Sequence, residues 1–251
     1  MSDTTMMQAE NICRYYGKQR ALNNISFIAS KGEVTGFLGP NGAGKSTLMQ
    51  IVSGVLAATT GTVSISGFNI IKQPASARSA LGYLPDKPPL YIDCNIDTYL
   101  LYCAQLRNVP SDKQQSQVEI AKQVCGLEGE GKRLIQKLSK GYQQRIGLAQ
   151  AIIHSPEVLI LDEPSSGLDP NQMVEMRKMI LELRKDHCII FSTHILSEAF
   201  QLCDRIIIIN SGEKVLEQPI SFFNNQSALE EIYVKETKTM PLNNTEITND
   251  L

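Results

Sequence analysis

Hydrophobic and polar positions change their period several times along the chain, and each period predicts a different element. Residues 8–35 alternate short apolar pieces with turn residues, which predicts antiparallel strands joined by hairpins. The segment GTVSISGFNII also has a period of two and predicts another strand. EVLILDEP and HCIIFSTH are continuous apolar runs, which are typical of parallel strands buried on both faces.

The remaining segments complete an α/β pattern. Residues 97–125 carry apolar side chains at helical spacing, and the polar piece from Ser111 to Lys122 predicts a solvated helix. RIIIINSGEKVLEQ predicts a final hairpin that turns at residues 210–212. The end of the chain, MPLNNTEITNDL, is polar and is expected to fray.

Composition excludes several classes of protein. The 251 residues suffice for one large α/β domain or two small ones. The net charge is −2 and there is no long basic run, so no nucleic-acid partner is expected. The six cysteines are scattered without a C-x-x-C pair, as expected of reduced thiols in a cytoplasmic protein. No apolar run approaches the roughly 20 residues of a spanning helix, so we expect any membrane connection to go through a partner.

A glycine-rich segment, GPNGAGKST, lies between the apolar run VTGFL and the predicted helix LMQIVSGVL. Its spacing G-x-x-x-x-G-K-S fits the phosphate-binding P-loop, in which backbone N–H groups surround an anion at a helix N-terminus. Lys45 can reach the β- and γ-phosphates, and the Ser46 hydroxyl can ligate Mg²⁺. The alternative is a glycine-rich turn without a ligand. The residues expected to bind phosphate are Gly39, Pro40, Asn41, Gly42, Ala43, Gly44, Lys45, Ser46 and Thr47.

The same segment favours ATP over other nucleotides. A dinucleotide-binding fold needs G-x-G-x-x-G and an acidic residue about 20 positions later. Here the glycines read G-x-x-G-x-G, and no Asp or Glu occurs between Glu33 and Asp86. The N-K-x-D sequence that reads guanine in GTPases is also absent.

Two further segments carry candidate chemistry. Asp162 and Glu163 end the run VLIL, where open α/β sheets bind ligands. Asp162 can hold the Mg²⁺ shell and Glu163 can deprotonate an attacking water, although strand-end acids also cap helices. In LSKGYQQR, Ser139 and Gly141 begin a predicted helix, so Ser139 is either a plain N-cap or part of a second anion site. A second anion site makes sense if it serves the phosphate of another subunit.

The order of these motifs resembles the ATP-binding subunit of an ABC transporter over about residues 7–235. GPNGAGKST is similar to the Walker A motif of that family, VLILDEP to Walker B, LSKGYQQR to the signature, SSGLD to the D-loop and STHIL to the H-loop. The resemblance implies an α/β P-loop NTPase core with a mixed, mainly parallel sheet. It also implies an N-terminal antiparallel β subdomain and an α-helical signature subdomain at about 88–155. The domain is expected to span 6–235, followed by a polar tail at 236–251.

The resemblance further implies a head-to-tail dimer, with two ATP molecules between the P-loop of one subunit and the signature of the other. Glu163 is then the general base and His194 the switch that contacts the γ-phosphate. Tyr16 resembles the aromatic residue that stacks on adenine. Ser139 and Gly141 bind the γ-phosphate in trans, and Asp169 lies in the loop that links the two sites.

Two segments depart from the family pattern. The usual signature reads LSGGQ, whereas here Lys140 replaces a glycine and Tyr142 a glutamine. Asp86 stands where many members have a glutamine, and its carboxylate is a candidate ligand for Mg²⁺. The segment GYLPDKPPLY and the ending ALEEIYVKET resemble single-domain subunits of ABC-2-type exporters.

These features predict a cytoplasmic ATPase that lies on the inner face of the cell membrane through a separate transmembrane permease. Its second ATP-binding subunit is expected to be another copy of the chain. One alternative is a soluble ABC-type ATPase that acts on ribosomes or DNA. Another is a small-molecule kinase, which would leave LSKGYQQR and STHIL without a purpose.

Overall fold

The computed structural model describes residues 5–238. The prediction that the chain frays at MPLNNTEITNDL lies outside these residues. The first sheet is antiparallel and has the order β2-β1-β4-β5. Its strands are β1 (Thr5–Tyr16), β2 (Gln19–Ser30), β4 (Thr60–Ile65) and β5 (Phe68–Asn69). The antiparallel hairpin predicted within residues 8–35 is therefore confirmed, with Met7 opposite Ala29 and Ile12 opposite Ile25.

The strand predicted over GTVSISGFNII is shorter than expected. Ser66 and Gly67 both have positive φ angles, 49° and 82°, and turn the chain back on itself. β4 therefore ends at Ile65, and β5 pairs with it as a short hairpin. The apolar positions change phase at this turn, from Val63 and Ile65 to Phe68 and Ile70, and this change together with the Ser-Gly pair was the signal for the turn.

The second sheet has six strands in the order β10-β9-β3-β8-β7-β6. All neighbouring pairs are parallel except β9 with the edge strand β10, so the sheet is mixed and mainly parallel. The strands are β3 (Val34–Leu38), β6 (Leu81–Leu84), β7 (Val158–Asp162), β8 (Cys188–Thr193), β9 (Arg205–Asn210) and β10 (Glu213–Pro219).

Hydrophobic cores cover both faces of this sheet, which explains the continuous apolar runs. In β7, Leu159 and Leu161 belong to one core, whereas Val158 and Ile160 belong to the other. Successive side chains of a strand point to opposite faces, so a strand covered on both sides has no polar positions to alternate. The first core also contains residues of the helices that follow β6 and β8, and the second contains the antiparallel sheet.

The helices are α1 (Lys45–Val52), α2 (Pro74–Ser79), α3 (Ile96–Leu106), α4 (Gln114–Val124), α5 (Lys140–Ile152), α6 (Pro170–Leu183), α7 (Leu196–Leu202) and α8 (Gln226–Thr237). α3, α4 and α5 lie in the chain between β6 and β7, within the predicted helical subdomain. α8 continues through Thr237, past the predicted domain end at residue 235. No helix within residues 5–238 is long and apolar enough to cross a membrane.

The prediction of a solvated helix from Ser111 to Lys122 was wrong in two respects. Residues 111–113 form a turn after Pro110, and the helix starts at Gln114. Its inner face is buried at Val118 and Ala121. Two apolar residues on one face suffice to dock a mostly polar helix, and such a sparse stripe is hard to distinguish from a solvated helix in sequence.

Candidate functional site

The glycine-rich loop connects β3 to α1, as predicted. Gly42 and Gly44 have φ angles of 81° and 107°, which side-chain-bearing residues rarely adopt. Gly39 is required for a different reason, because a Cβ atom there would collide with the carbonyl oxygen of Ile209 on the neighbouring strand. The loop therefore leaves the end of a buried strand and presents the N-terminus of α1 to any anion held above it.

Lys45 is the first residue of α1, and its side chain is only 4% exposed. Its ammonium donates hydrogen bonds to the carbonyl oxygens of Gly39 at 2.8 Å and Pro40 at 3.2 Å. It also lies 3.6 Å from Glu163 Oε1. Burial lowers the pKa of Lys45, although the carboxylates of Glu163 and Asp162 oppose this shift. The cation is therefore held at the loop by neutral acceptors that phosphate oxygens can replace.

Asp162 lies at the carboxyl end of β7, beside the start of α1. Its Oδ1 accepts hydrogen bonds from Ser192 Oγ at 2.6 Å and from Ser46 Oγ at 3.4 Å. Burial raises the pKa of Asp162, and the two hydroxyl donors oppose the rise. The sequence reasoning placed Asp162 and Ser46 together but missed Ser192, which stands in the quoted STHIL segment. Ser192 lies near the end of β8, the strand beside β7, and this position could have indicated its contact with Asp162.

Glu163 and His194 also meet. His194 Nδ1 lies 3.1 Å from Glu163 Oε2. Glu163 has a positive φ of 47°, and its N–H donates to both the Oγ and the carbonyl oxygen of Ser192. This uncommon backbone conformation turns the Glu163 carboxylate towards Lys45 rather than along the strand.

A cleft of about 570 Å³ joins the loop to the first sheet. Tyr16, at the end of β1, shares this cleft with Lys45 and Glu163. Tyr16 is 47% exposed, and the Arg14 guanidinium lies 4.7 Å from the centre of its ring. The sequence reasoning missed five cleft residues, because the start of β2 and the turn after β9 approach the loop only in three dimensions: Gln19, Arg20, Ala21, Ser211 and Gly212.

The residues expected to act in trans do not line this cleft. Ser139 is exposed at the N-terminus of α5, and its side chain makes no capping hydrogen bond. Gly141 is buried against α6, where a Cβ atom would lie 2.6 Å from the side chain of Gln172. Asp169 caps α6 by accepting a hydrogen bond from the N–H of Gln172 at 3.0 Å. Asp169 therefore stabilises the N-terminus of α6 in its own chain.

Asp86 follows β6, and within residues 5–238 its Oδ1 is buried without a hydrogen-bond partner. Its charge contributes to the raised pKa values of Asp162 and Tyr83, so it lies close to the site. A buried carboxylate oxygen needs a donor or a cation. Asp86 is therefore free to take a ligand that the described chain does not supply.

The oxygen atoms of Ser46, Asp162 and Asp86 suit Mg²⁺, which prefers oxygen ligands. Among the described residues, no cluster of three or more His, Cys, Asp and Glu is arranged to hold a metal ion by itself. Mg²⁺ is usually bound by one or two carboxylates together with waters and substrate phosphates, so a larger cluster is not required. The residues present therefore fit Mg²⁺ bound together with a nucleotide.

A phosphate-binding loop, a strand-end carboxylate pair and a histidine directly after the neighbouring strand of the same sheet define a P-loop ATPase domain. The protein-family model described as ABC transporter matches residues 22–166. The chain belongs to the ABC transporter family, in which it is an ATP-binding subunit with ATPase activity.

Among its relatives, the chain is 33% identical to the bacitracin transport ATP-binding protein BcrA of Bacillus licheniformis, over 89% of this chain and 73% of that protein. It is 34% identical to the linearmycin resistance ATP-binding protein LnrL of Bacillus subtilis (strain 168), over 84% of this chain and 68% of that protein. It is 37% identical to the uncharacterized ABC transporter ATP-binding protein YxlF of the same strain, over 83% of this chain and 69% of that protein.

Solved structures agree with the fold. A solved ATP binding subunit of an ABC transporter superposes with a TM-score of 0.83 at 27% identity, over 93% of this chain and 100% of that one. CbiO1 of Clostridium perfringens, part of the ABC transporter complex cbiONQ, gives a TM-score of 0.80 at 27% identity, over 93% and 96% of the two chains. ATP-binding subunits of this kind dimerise and work with a membrane permease.

Proposed function

We propose that two copies of this chain bind ATP head to tail and drive a separate ABC-2-type permease that exports its cargo. The observation that carries the proposal is the division of the motif residues between two surfaces. Lys45, Asp162, Glu163 and His194 converge near the loop, whereas Ser139 and Gly141 lie away from the cleft. One chain therefore holds half of a site, and a second copy turned end to end supplies the other half.

The nucleotide lies across the cleft. Tyr16 stacks on adenine through its exposed ring, and Gly39 to Thr47 surround the phosphates with backbone N–H groups. Lys45 exchanges the carbonyl oxygens of Gly39 and Pro40 for phosphate oxygens. An ammonium that is already desolvated and in place gains more from an ionic hydrogen bond than one that must first leave water.

Ser46 and Asp162 would hold Mg²⁺ through their oxygen atoms, and Asp86 would offer a further oxygen ligand. When bound, Mg²⁺ neutralises charge on the phosphates and orients them for in-line attack. Ser192 keeps Oδ1 of Asp162 in position by donating a hydrogen bond at 2.6 Å. The raised pKa of Asp162 indicates a carboxylate poorly solvated by water, for which a cation is a favourable partner.

Glu163 acts as the general base and deprotonates the attacking water. His194 holds the Glu163 carboxylate from one side and contacts the γ-phosphate with its other ring nitrogen. The exposed Ser139 hydroxyl and the N–H groups at the start of α5 bind the γ-phosphate of the ATP on the partner copy. Hydrolysis removes this γ-phosphate, so the two copies separate.

BcrA is named for bacitracin transport and LnrL for linearmycin resistance. By this similarity, the exported compound is an antibiotic. The chain works in the cytoplasm, on the inner face of the membrane, through the permease. No nucleic acid takes part.

The Glu163→Gln variant tests the dimer. ATP is expected to shift it from monomer to dimer in analytical ultracentrifugation, with little phosphate released, while ADP leaves it monomeric. Glu157→Gln is the matched control, since Glu157 is an exposed acid that precedes the same strand, and it should keep normal turnover. A monomeric Glu163→Gln protein at saturating ATP would contradict the proposal.

The permease is tested by purifying tagged Glu163→Gln protein with ATP from detergent-solubilised native membranes. A stoichiometric polytopic membrane protein, identified by mass spectrometry, is the expected partner. Ribosomal or DNA-bound partners without a membrane protein would instead establish the soluble ATPase alternative.

A further inference from the structure

Lys140 and Tyr142, which depart from the family signature, lie in the first turn of helix α5 but have different surroundings. Tyr142 is half-buried against the core, and the guanidinium groups of Arg133 and Arg145 lie 5.8 and 5.4 Å from its ring centre. Lys140 is exposed, next to Ser139. Tyr142 therefore packs within its own chain, whereas Lys140 belongs to the surface that the proposed dimer turns towards the partner.

Lys140 extends over the D-loop, the segment SSGLD. A Cβ atom on Gly167 would collide with Lys140 Nζ and would lie 3.2 Å from its Cε, and Gly167 has a φ of 69°. No carboxylate of residues 5–238 forms an ion pair with Lys140. The ammonium thus lies on the backbone of the D-loop, with no anion of the described chain to neutralise it.

Asp86 is the opposite case, a negative charge without a partner. Its buried Oδ1 lacks a hydrogen bond within the described chain, and it lies near Asp162. Asp86, Asp162 and Glu163 bring three carboxyl groups towards the place where the phosphates bind. Of the cations that line the cleft, Arg20 is already paired with Glu213. The side chains of one half-site therefore carry one negative charge more than they would with a neutral glutamine at position 86, and bound Mg²⁺ would offset the same charge in both cases.

We propose that Lys140 binds the γ-phosphate of the ATP held by the partner copy and offsets the negative charge of Asp86 in that site. The inference rests on the head-to-tail dimer proposed above. Lys140 stands between Ser139 and Gly141, the two residues assigned to that phosphate. A glycine and a neutral glutamine, the usual residues at positions 140 and 86, give the same sum of charge as this lysine and aspartate.

The experiment uses full-length protein that carries Glu163→Gln and measures the ATP concentration at which half of it is dimeric. Lys140→Gln is expected to raise this concentration about tenfold, which corresponds to ~1.4 kcal/mol. Lys140→Arg keeps the charge and should stay close to the parent. Lys137→Gln is the control, since Lys137 is an exposed lysine three residues before Lys140 and outside α5. Binding of ADP to the monomer should not change in any of these variants.

Charge compensation is tested by a double-mutant cycle in the same background. Asp86→Asn is made with and without Lys140→Gln, and the effect of Lys140→Gln should shrink by about threefold or more when Asp86 is neutral. Additive effects would overturn the compensation. If Glu163→Gln dimerises with ATP while Lys140→Gln behaves as Lys137→Gln does, the role of Lys140 is overturned and the dimer stands. If no ATP-dependent dimer forms at all, both proposals fall.

Discussion

Ser192 provides a sharp test of how the site is built. Its buried hydroxyl donates to Asp162 Oδ1 at 2.6 Å and accepts from the Glu163 N–H at 3.0 Å. Ser192→Ala removes both bonds, but the Glu163 N–H keeps the Ser192 carbonyl oxygen as a partner at 3.2 Å. The loss therefore falls mainly on the Asp162 carboxylate.

The magnitude follows from the charge of the acceptor. A hydrogen bond to an ionised group contributes about 1.5–3 kcal/mol. Near neutral pH, Ser192→Ala should lower the melting temperature by about 3–12 °C, since ~1 kcal/mol shifts a domain of this size by about 2–4 °C. If Asp162 holds Mg²⁺, kcat/KM for ATP hydrolysis should fall by about tenfold to a hundredfold, at about 1.4 kcal/mol per factor of ten.

The loss of stability should also depend on pH. Burial already raises the pKa of Asp162 above its ordinary value of 3.8, and the Ser192 hydroxyl opposes that rise. Removing the hydroxyl raises the folded-state pKa further, so ionising Asp162 costs the folded variant more. The deficit should therefore grow as pH rises through the folded-state pKa values. It should shrink at acidic pH, where Asp162 is protonated in both proteins.

Thermal unfolding of both proteins at pH 8, and at the lowest pH at which both stay folded, measures this difference. Ser53→Ala is the matched control, since Ser53 is also buried but donates to the neutral carbonyl oxygen of Gln50. Its deficit should not vary with pH. An equal deficit for Ser192→Ala at both pH values would refute the assignment of its bond to an ionised Asp162.

Three further changes test the cleft itself. Lys45→Ala should weaken ATP binding by about tenfold or more, from the loss of a ~1.5–3 kcal/mol ionic contact; titration with a fluorescent ATP analogue measures this, and unchanged affinity would count against the loop assignment. Tyr16→Ala should weaken adenine nucleotides by about 1–3 kcal/mol of stacking, while Tyr16→Phe keeps the affinity; equal losses in both would exclude stacking. Gly44→Ala places a Cβ atom 2.9 Å from the Ala21 carbonyl oxygen at a φ of 107°, whereas Gly129→Ala meets nothing within 4 Å. Both carry backbone strain of about 1–3 kcal/mol, so Gly44→Ala should show the larger fall in melting temperature, and equal falls would show that contact at Gly44 is unimportant.

The sequence by itself determined the fold class and the family. The P-loop, the strand-end acids and the signature are local segments whose spacing expresses backbone requirements directly. Gly42 and Gly44, for example, supply the positive φ angles that the loop needs. Continuous apolar runs identified the parallel strands for an equally direct reason, since strands covered on both faces leave no place for polar side chains.

Only the tertiary structure decided which residues meet. Ser192 reaches Asp162, and Arg20 and Gly212 enter the cleft, because neighbouring strands and distant hairpins bring them there. The prediction of a solvated helix from Ser111 to Lys122 failed for a similar reason, since the burial of α4 depends on the elements that pack beside it. Lys140 lies against Gly167 although 27 positions separate them in sequence. Such contacts arise from the packing of whole elements, which a local pattern of residues does not encode.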